Sequence, residues 1–476
     1  MNRLQRTLAS LFAASAAAAA PTLVHATNGM NLEGYGPIAL GMGGASMAYD
    51  NGTAGMMNNP ATLGLMPEGE DRFNIAIGFL GPNVDADFGG ATASSDANAF
   101  WMPALGYARK RDGWTYGIGM FAQGGMGTEY SRDTFLGMGA QLENRSEVGV
   151  GRLMLPLAFD AAPNLTIGGS LDFVWATMDI RMAMPGATMG AMMAPGGSPV
   201  GTVGGGLIDT MTDPLSPFSS FTLNYGYVDF SNGSDMFGEA KGYGYAGKIG
   251  MVYKLSERTN IGVTYHTKTA LGDLETDNAS VTMNMSPGSL TATLDGKVAI
   301  HDFEWPATLA LGISHQANDR FMFAADLKWI NWSDVMDKFS MTFTANPTQA
   351  AGLPSLFVAT ATGFGNPLTM NMVLNQSWDD QYVLSVGGAY QLNDKWTVRG
   401  GANISKNPIP DANLNYLFPA IIEDHVTGGF SYQVSDAGRL DFGASYGFNV
   451  NQTSGASNVT STHSQLSWQL MYCHHF

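Results

Sequence analysis

Apolar and polar or small residues alternate with a period of two through much of this chain, from residue 71 to its end. Tyr243, Tyr245, Ile249, Met251 and Tyr253 alternate with Gly244, Ala246, Lys248 and Gly250. Leu440, Phe442, Ala444, Tyr446 and Phe448 alternate with Asp441, Gly443, Ser445, Gly447 and Asn449. That period puts the two sets on opposite faces of a sheet. The last stretch, Ser464 to Phe476, gathers Leu466, Trp468, Leu470, Tyr472 and Phe476 on one face. An apolar face backed by a small, polar one suits a membrane barrel, with lipid outside and a packed or wet lumen within.

The other end of the chain reads as an export signal over residues 1–26. Arg3 and Arg6 precede an apolar run from Leu8 to Ala20 and a small-residue cleavage site at Val24-His25-Ala26. The run is shorter than the roughly 20 apolar residues of a spanning helix, and no later stretch reaches that length. With 60 glycines, 11% aromatic and only 13% charged residues, the composition favours an all-β chain with interfacial aromatics. A formal net charge of −17 argues against nucleic acid as a partner, which needs a basic footprint. The single cysteine, Cys473, excludes an intramolecular disulfide, so sheet closure has to hold the chain together.

About 14 strands are expected, near 71–88, 100–111, 114–130, 147–160, 165–180, 242–256, 259–275, 296–316, 320–344, 376–393, 395–409, 425–436, 439–453 and 464–476. The connections at Lys110 to Gly113, Ala161 to Asn164, Ser256 to Asn260, Ala317 to Asp319, Asn393-Asp394 and Ser435 to Gly438 are short, and long ones separate them. This predicts tight periplasmic turns, large external loops and an even strand number. Residues 27–70 show no alternation, are glycine-rich and nearly uncharged, and read as a packed plug ahead of a barrel over 71–476.

The plug runs GYGPIALGMGGASMAYDNGTAGMMNNPATLGLM from Gly34 to Met66. It resembles the N-terminal hatch of the FadL/TodX family of outer-membrane transporters for hydrophobic compounds. The resemblance rests on Gly43-Gly44-Ala45, an acidic step at Asp50 and Asn59-Pro60-Ala61, with one extra residue between the last two. It continues through Trp114 to Tyr130, Trp305 to Val335 and Thr397 to Asp411. What it implies is a 14-stranded antiparallel barrel with the hatch in its lumen, located in the bacterial outer membrane. Such a barrel passes hydrophobic molecules inward by diffusion, from a groove among external loops to an interior site. The molecules then leave sideways through a kinked third strand. Long-chain fatty acids are the leading substrate, with monoaromatic hydrocarbons as the alternative. A fatty chain gains about 0.8 kcal/mol per buried CH₂, so a wet pore is a poor route.

The kink is expected at Gly124, Gly125 and Gly127, since clustered glycines weaken pairing and mark bulges, although glycine also relieves crowding in any curved wall. Asn59, Pro60 and Ala61, with Gly43 and Gly44, are expected to seat the hatch; an ordinary turn before the first strand is the alternative. Arg181, Lys268 and Arg399 are candidate partners for a ligand carboxylate, or else pair with internal acids such as Asp172, Asp326 or Asp441. Met182, Met184, Met189, Met192, Met193, Met283 and Met285 would suit a soft capture groove, or simply loop packing. Phe476 is the expected signal for the barrel-assembly machinery. Lipopolysaccharide and phospholipid would surround the finished wall.

No cofactor, metal or catalytic residue is expected. Gly443-Ala444-Ser445-Tyr446-Gly447 fits the hydrolase elbow pattern, but alternation runs straight through Ser445 where an elbow needs a strand-to-helix turn. Gly242-Tyr243-Gly244-Tyr245-Ala246-Gly247 fits a dinucleotide fingerprint without the helix that must follow. Cys473 and His475 share a face but fall short of the about four ligands of a closed metal site. An outer-membrane lipase and a porin that handles soft metal through the 181–240 methionines are the rival readings.

Overall fold

The computed structural model describes residues 28–234 and 237–476, so the expected signal at 1–26 lies outside the described residues. In the strand Ala240–Ser256, Tyr243, Tyr245 and Ile249 are 59, 62 and 60% exposed, while Gly242, Ala246, Lys248 and Val252 are buried. Leu155, Leu171, Leu311, Leu327, Tyr382 and Leu466, on other strands, are likewise more than half exposed. An apolar belt turned away from the protein is the face a barrel offers to lipid.

The first strand, Asp71–Phe88, pairs on one side with Phe100–Arg111 and on the other with the terminal strand Thr460–His475, both antiparallel. The sheet therefore closes on itself, and the ladder hydrogen bonds of its first and last strands are met by each other. Phe476 extends this seam: its N–H donates to the Asp71 carbonyl at 2.9 Å, and the residue is 73% exposed.

The strand number departs from the expected 14. The predicted stretch 296–316 contains parts of two strands, Leu290–His301 and Thr308–Asn318, and 320–344 contains Phe321–Ile330 and most of Lys338–Ala345. Divided there, the predicted stretches give 16 strands instead of 14, and the one sheet to which they belong has 22. The period-two pattern carries on across both breaks through Phe303, Trp305 and Ala307 and through Trp332. The backbone does not. Asp302 turns with φ 53°, Pro306 has no N–H for a ladder, and Trp332–Asp334 forms a 3-10 turn.

At the long-loop end the sheet grows a cap. The end of Leu165–Pro185 pairs with Thr222–Phe230, which continues through Leu274–Ser286, Leu290–His301, Lys338–Ala345 and Thr369–Asn375 to Gly201–Gly204. The helices Gly186–Met193, Gly206–Thr212 and Leu353–Gly363 pack among these strands.

The segment 28–66 is almost wholly buried inside the wall, in short helices at Pro37–Gly41 and Gly55–Asn58 and a 3-10 turn at Pro60–Leu65. Wall glycines let its backbone come close: a Cβ on Gly262, Gly387 or Gly443 would stand 1.8, 2.4 or 2.4 Å from the carbonyl oxygens of Met47, Met42 and Pro37. Irregular backbone must still find hydrogen-bond partners, and wall side chains supply them. Asp326 Oδ2 accepts from the Ser46 and Met47 amides at 2.6 and 3.1 Å. Asn403 donates to the Gly43 carbonyl, Asn260 and Ser314 to Ala48, and Gln469 to Gly34. Asp50 takes two bonds from Arg72, at 2.7 and 3.0 Å.

Two outcomes are expected. Asp326→Ala leaves two buried amides without an acceptor and destabilises the inner segment by about 1–3 kcal/mol per group, read as faster amide exchange at Ser46 and Met47 with the wall still folded. For Asp50, burial raises the pKa, but the Arg72 guanidinium outweighs that and holds the carboxyl at about 2. A carboxylate held below its unfolded value of about 3.9 stabilises the fold above that pH and loses the contribution as pH falls toward 2. Asp50→Asn should therefore cost about 1–2 kcal/mol at neutral pH, since Glu70 still bonds Arg72. The difference from wild type in amide exchange over residues 46–58 should shrink as the solution is acidified.

Candidate functional site

The strand Trp114–Tyr130 carries the glycine cluster, and its register slips between Ala122 and Gly124, leaving Gln123 as a bulge. On one side it stays paired with Asn144–Ala162 up to Tyr130. On the other it pairs with Phe100–Arg111 only from Trp114 to Met120. Beyond Met120 the two strands part, and they are bridged again at the top where the Asp96 amide reaches the Glu129 carbonyl at 2.8 Å. The result is a gap in the wall beside Phe121 to Thr128.

Inner-segment backbone meets part of that bare strand edge. Asn31 bridges to Gly124, and the Gly125 amide donates to the Met30 carbonyl at 3.2 Å. Glycine is required here by close approach, since a Cβ on Gly124 would lie 2.1 Å from Met30 O. The bulged Gln123 is clamped from the same side. The Tyr35 hydroxyl donates to the Gln123 backbone carbonyl at 2.6 Å, and the Gln123 side-chain Nε2 donates to Asn31 Oδ1 at 3.0 Å. Asn31 Oδ1 also accepts from Trp305 Nε1 at 2.8 Å.

A cavity of about 240 Å³ occupies the gap and the space behind it. Its lining runs from buried Met30 inside, past Phe121, Met126 and Val148, to Trp101, which is 51% exposed on the outer face. Among the described residues that line it there is no lysine or arginine, and there are two acids, Glu33 and Glu147. Glu33 lies 2.8 Å from His425 Nε2. Burial raises its pKa, and the facing His425 ring more than compensates, so the carboxyl sits below its usual range.

The other expected site residues are distributed differently. Asn59 donates to the Met47 carbonyl at 2.8 Å and to the wall carbonyl of Met251 at 3.2 Å, while its Oδ1 accepts from Ala61 N; Pro60 opens the 3-10 turn. Gly43 and Gly44 take positive φ, 71° and 88°, and Gly43 presses on the Ala402 carbonyl. Arg181 is held by Glu143 and Asp229, Lys268 by Glu304 and Asp334, and Arg399 donates to Ser431; none lines the cavity. The internal acids have other partners: Asp172 takes Arg152 and Lys248, and Asp441 takes Arg439. Met182, Met184, Met189, Met192, Met283 and Met285 are buried in the cap with Met193 packed against them, and none lines the cavity.

Ser445 sits mid-strand, buried, with its hydroxyl 3.5 Å from Glu33 rather than on a histidine. Cys473 is buried against Asn74 and His475. The sequence places the kink in Gln123 to Gly127, which includes the bulged residue, but it does not disclose Met30, Asn31 and Trp305 as partners there, nor Lys328. Lys328 shares the inward parity of Asp326, and no hydrogen bond or ion pair of it is found among the described residues. Its parity was readable; its neighbourhood of Asp326 and Glu33 without a direct salt bridge to either was not.

Gly124→Ala should push Met30 away from the strand. The Gly125 amide is then expected to exchange at least about 10-fold faster, measured by hydrogen exchange on the folded barrel; unchanged protection would contradict the contact.

Residues 10–470 match the family described as Outer membrane protein transport protein (OMPP1/FadL/TodX). The structure is similar to that of the toluene transporter TodX of Pseudomonas putida, with a TM-score of 0.78 and 29% identity, covering 94% of this chain and 99% of that one. The long-chain fatty acid transport protein of Escherichia coli is 20% identical over 92% of this chain and 91% of its own length. An uncharacterized Chlorobium limicola protein, from the 5' region of a phosphoenolpyruvate carboxykinase gene, is 45% identical over 103 residues; the match covers 22% of this chain and half of that protein. A closed β-wall with apolar residues outside, an inner N-terminal segment and this match over nearly the whole chain lead to one conclusion: the chain belongs to the FadL/TodX family of outer-membrane transport proteins.

Proposed function

We propose that this protein carries small uncharged hydrophobic molecules of monoaromatic size across the outer leaflet and releases them sideways into the membrane. The observation that carries the reading is the cavity that begins at Met30 and ends at Trp101 on the lipid face, through the unpaired stretch beside Gly124 to Gly127. An apolar cavity of about 150 Å³ holds benzene, so about 240 Å³ suits a substituted ring. A carboxylate would meet Glu33 and Glu147 there, with no lysine or arginine among the described residues of the lining, and burying an unpaired charge is costly. In this reading the segment 27–70 acts as a hatch that stays in place, hooked to the wall by Asp326, Asn403 and Asn59. The route then bypasses it rather than passing through it.

A second reading, uptake of long-chain fatty acids, is favoured by one observation: the inward-facing Lys328, which feels Asp326 and Glu33 but makes no salt bridge among the described residues, is a cation a carboxylate could use.

The test is uptake of labelled toluene and labelled oleate by cells lacking their own transporters, with the chain shown folded in the outer membrane. Toluene uptake well above the empty control, falling about 10-fold or more when Gln123 is deleted to straighten the bulge, supports the proposal. Uptake that survives the deletion contradicts sideways release. Oleate uptake lost in Lys328→Gln would move the assignment to fatty acids.

A further inference from the structure

The apolar cavity contains two polar side chains with unmet hydrogen bonds. His463, in the terminal strand, lines it and is 5% exposed. Its Nδ1 stands 2.8 Å from the Pro419 carbonyl oxygen. That oxygen can only accept, so Nδ1 carries the proton, and in the neutral ring Nε2 keeps a bare lone pair. Nε2 is buried and has no hydrogen-bond partner among the described residues. Asn31 also lines the cavity; its Oδ1 is occupied by Trp305 and Gln123, while its Nδ2, a donor, is buried without a partner among the described residues.

A bare hydrocarbon leaves both groups unmet, and a buried polar atom without a partner is penalised whichever ligand fills the space beside it. A hydroxyl both donates and accepts, so it can serve either. A site with an acceptor waiting for a ligand OH discriminates against the analogue lacking it, because the unmet acceptor stays unmet. We propose that the cavity is selective for hydroxylated monoaromatics, phenols and cresols in neutral form, with His463 Nε2 accepting the phenolic hydrogen bond. This rests on the monoaromatic reading above and narrows it. His463 thereby becomes a specificity-determining residue that touches the ligand, on the strand that closes the barrel.

The experiment uses the full chain in lipid nanodiscs and a nearly isosteric pair of probes, 4-fluorophenol and 4-fluorotoluene, followed by 19F NMR titration and corrected against empty nanodiscs. The expected result is 4-fluorophenol binding about 10-fold more tightly than 4-fluorotoluene. His463→Leu should bring the two probes to equal affinity, with unchanged β-sheet circular dichroism in the nanodisc reporting that the variant is folded. Equal affinity of the two probes in the wild type, or a preference that survives His463→Leu, would overturn the inference and leave the monoaromatic reading standing. If neither probe binds above empty nanodiscs, the monoaromatic reading fails and this inference with it.

Discussion

A backbone amide or carbonyl without a partner costs several kcal/mol in hydrocarbon, and that constraint governs the whole molecule. It is why the chain closes Asp71–Phe88 onto Thr460–His475. It is also why a hole in the wall is difficult to build. Where Phe100–Arg111 and Trp114–Tyr130 separate, the exposed strand edge needs other partners, and the inner segment provides some of them through Met30 and Asn31. The gap and the segment behind it are therefore one structural device. A bulge alone would leave the ladder unmet, and the segment alone would have nothing to seal.

The same requirement acts on the inner segment. Its backbone forms little regular structure, so wall side chains at Asp326, Asn403, Asn260, Ser314 and Gln469 reach inward to its amides and carbonyls. Wall glycines allow the approach. With hooks on so many strands, expelling the segment down the barrel axis would break many bonds at once. Loosening it locally at Met30 and Asn31 would break only the set that joins them to Gly124, Gly125, Gln123, Tyr35 and Trp305. That asymmetry supports the proposed exit through the side of the barrel.

Much of the wall was legible because a strand's two faces follow a period of two, and lipid outside makes one face apolar. The strand number was not, because the alternation persists through Phe303, Trp305 and Ala307 while Pro306 and the turn at Asp302 interrupt the ladder. The glycines of the kink stood out as a cluster. Their partners did not, since Asn31, Gln123 and Trp305 meet across long separations that no local pattern encodes. Arg181, Lys268 and Arg399 had the charge a carboxylate wants, but which acid or hydroxyl each one meets is set by register and loop geometry. The loop methionines were visible as a soft apolar set, and their composition could not say that they would form the buried core of the cap.

The most direct test of the account is where a ligand sits. Crystals of the protein grown with 4-bromotoluene would place the bromine by anomalous scattering. The account predicts bromine density in the wall gap, between the strand edge at Gly124 to Gly127 and Trp101. Density confined to the barrel axis, on the short-turn side of the inner segment, would contradict sideways release.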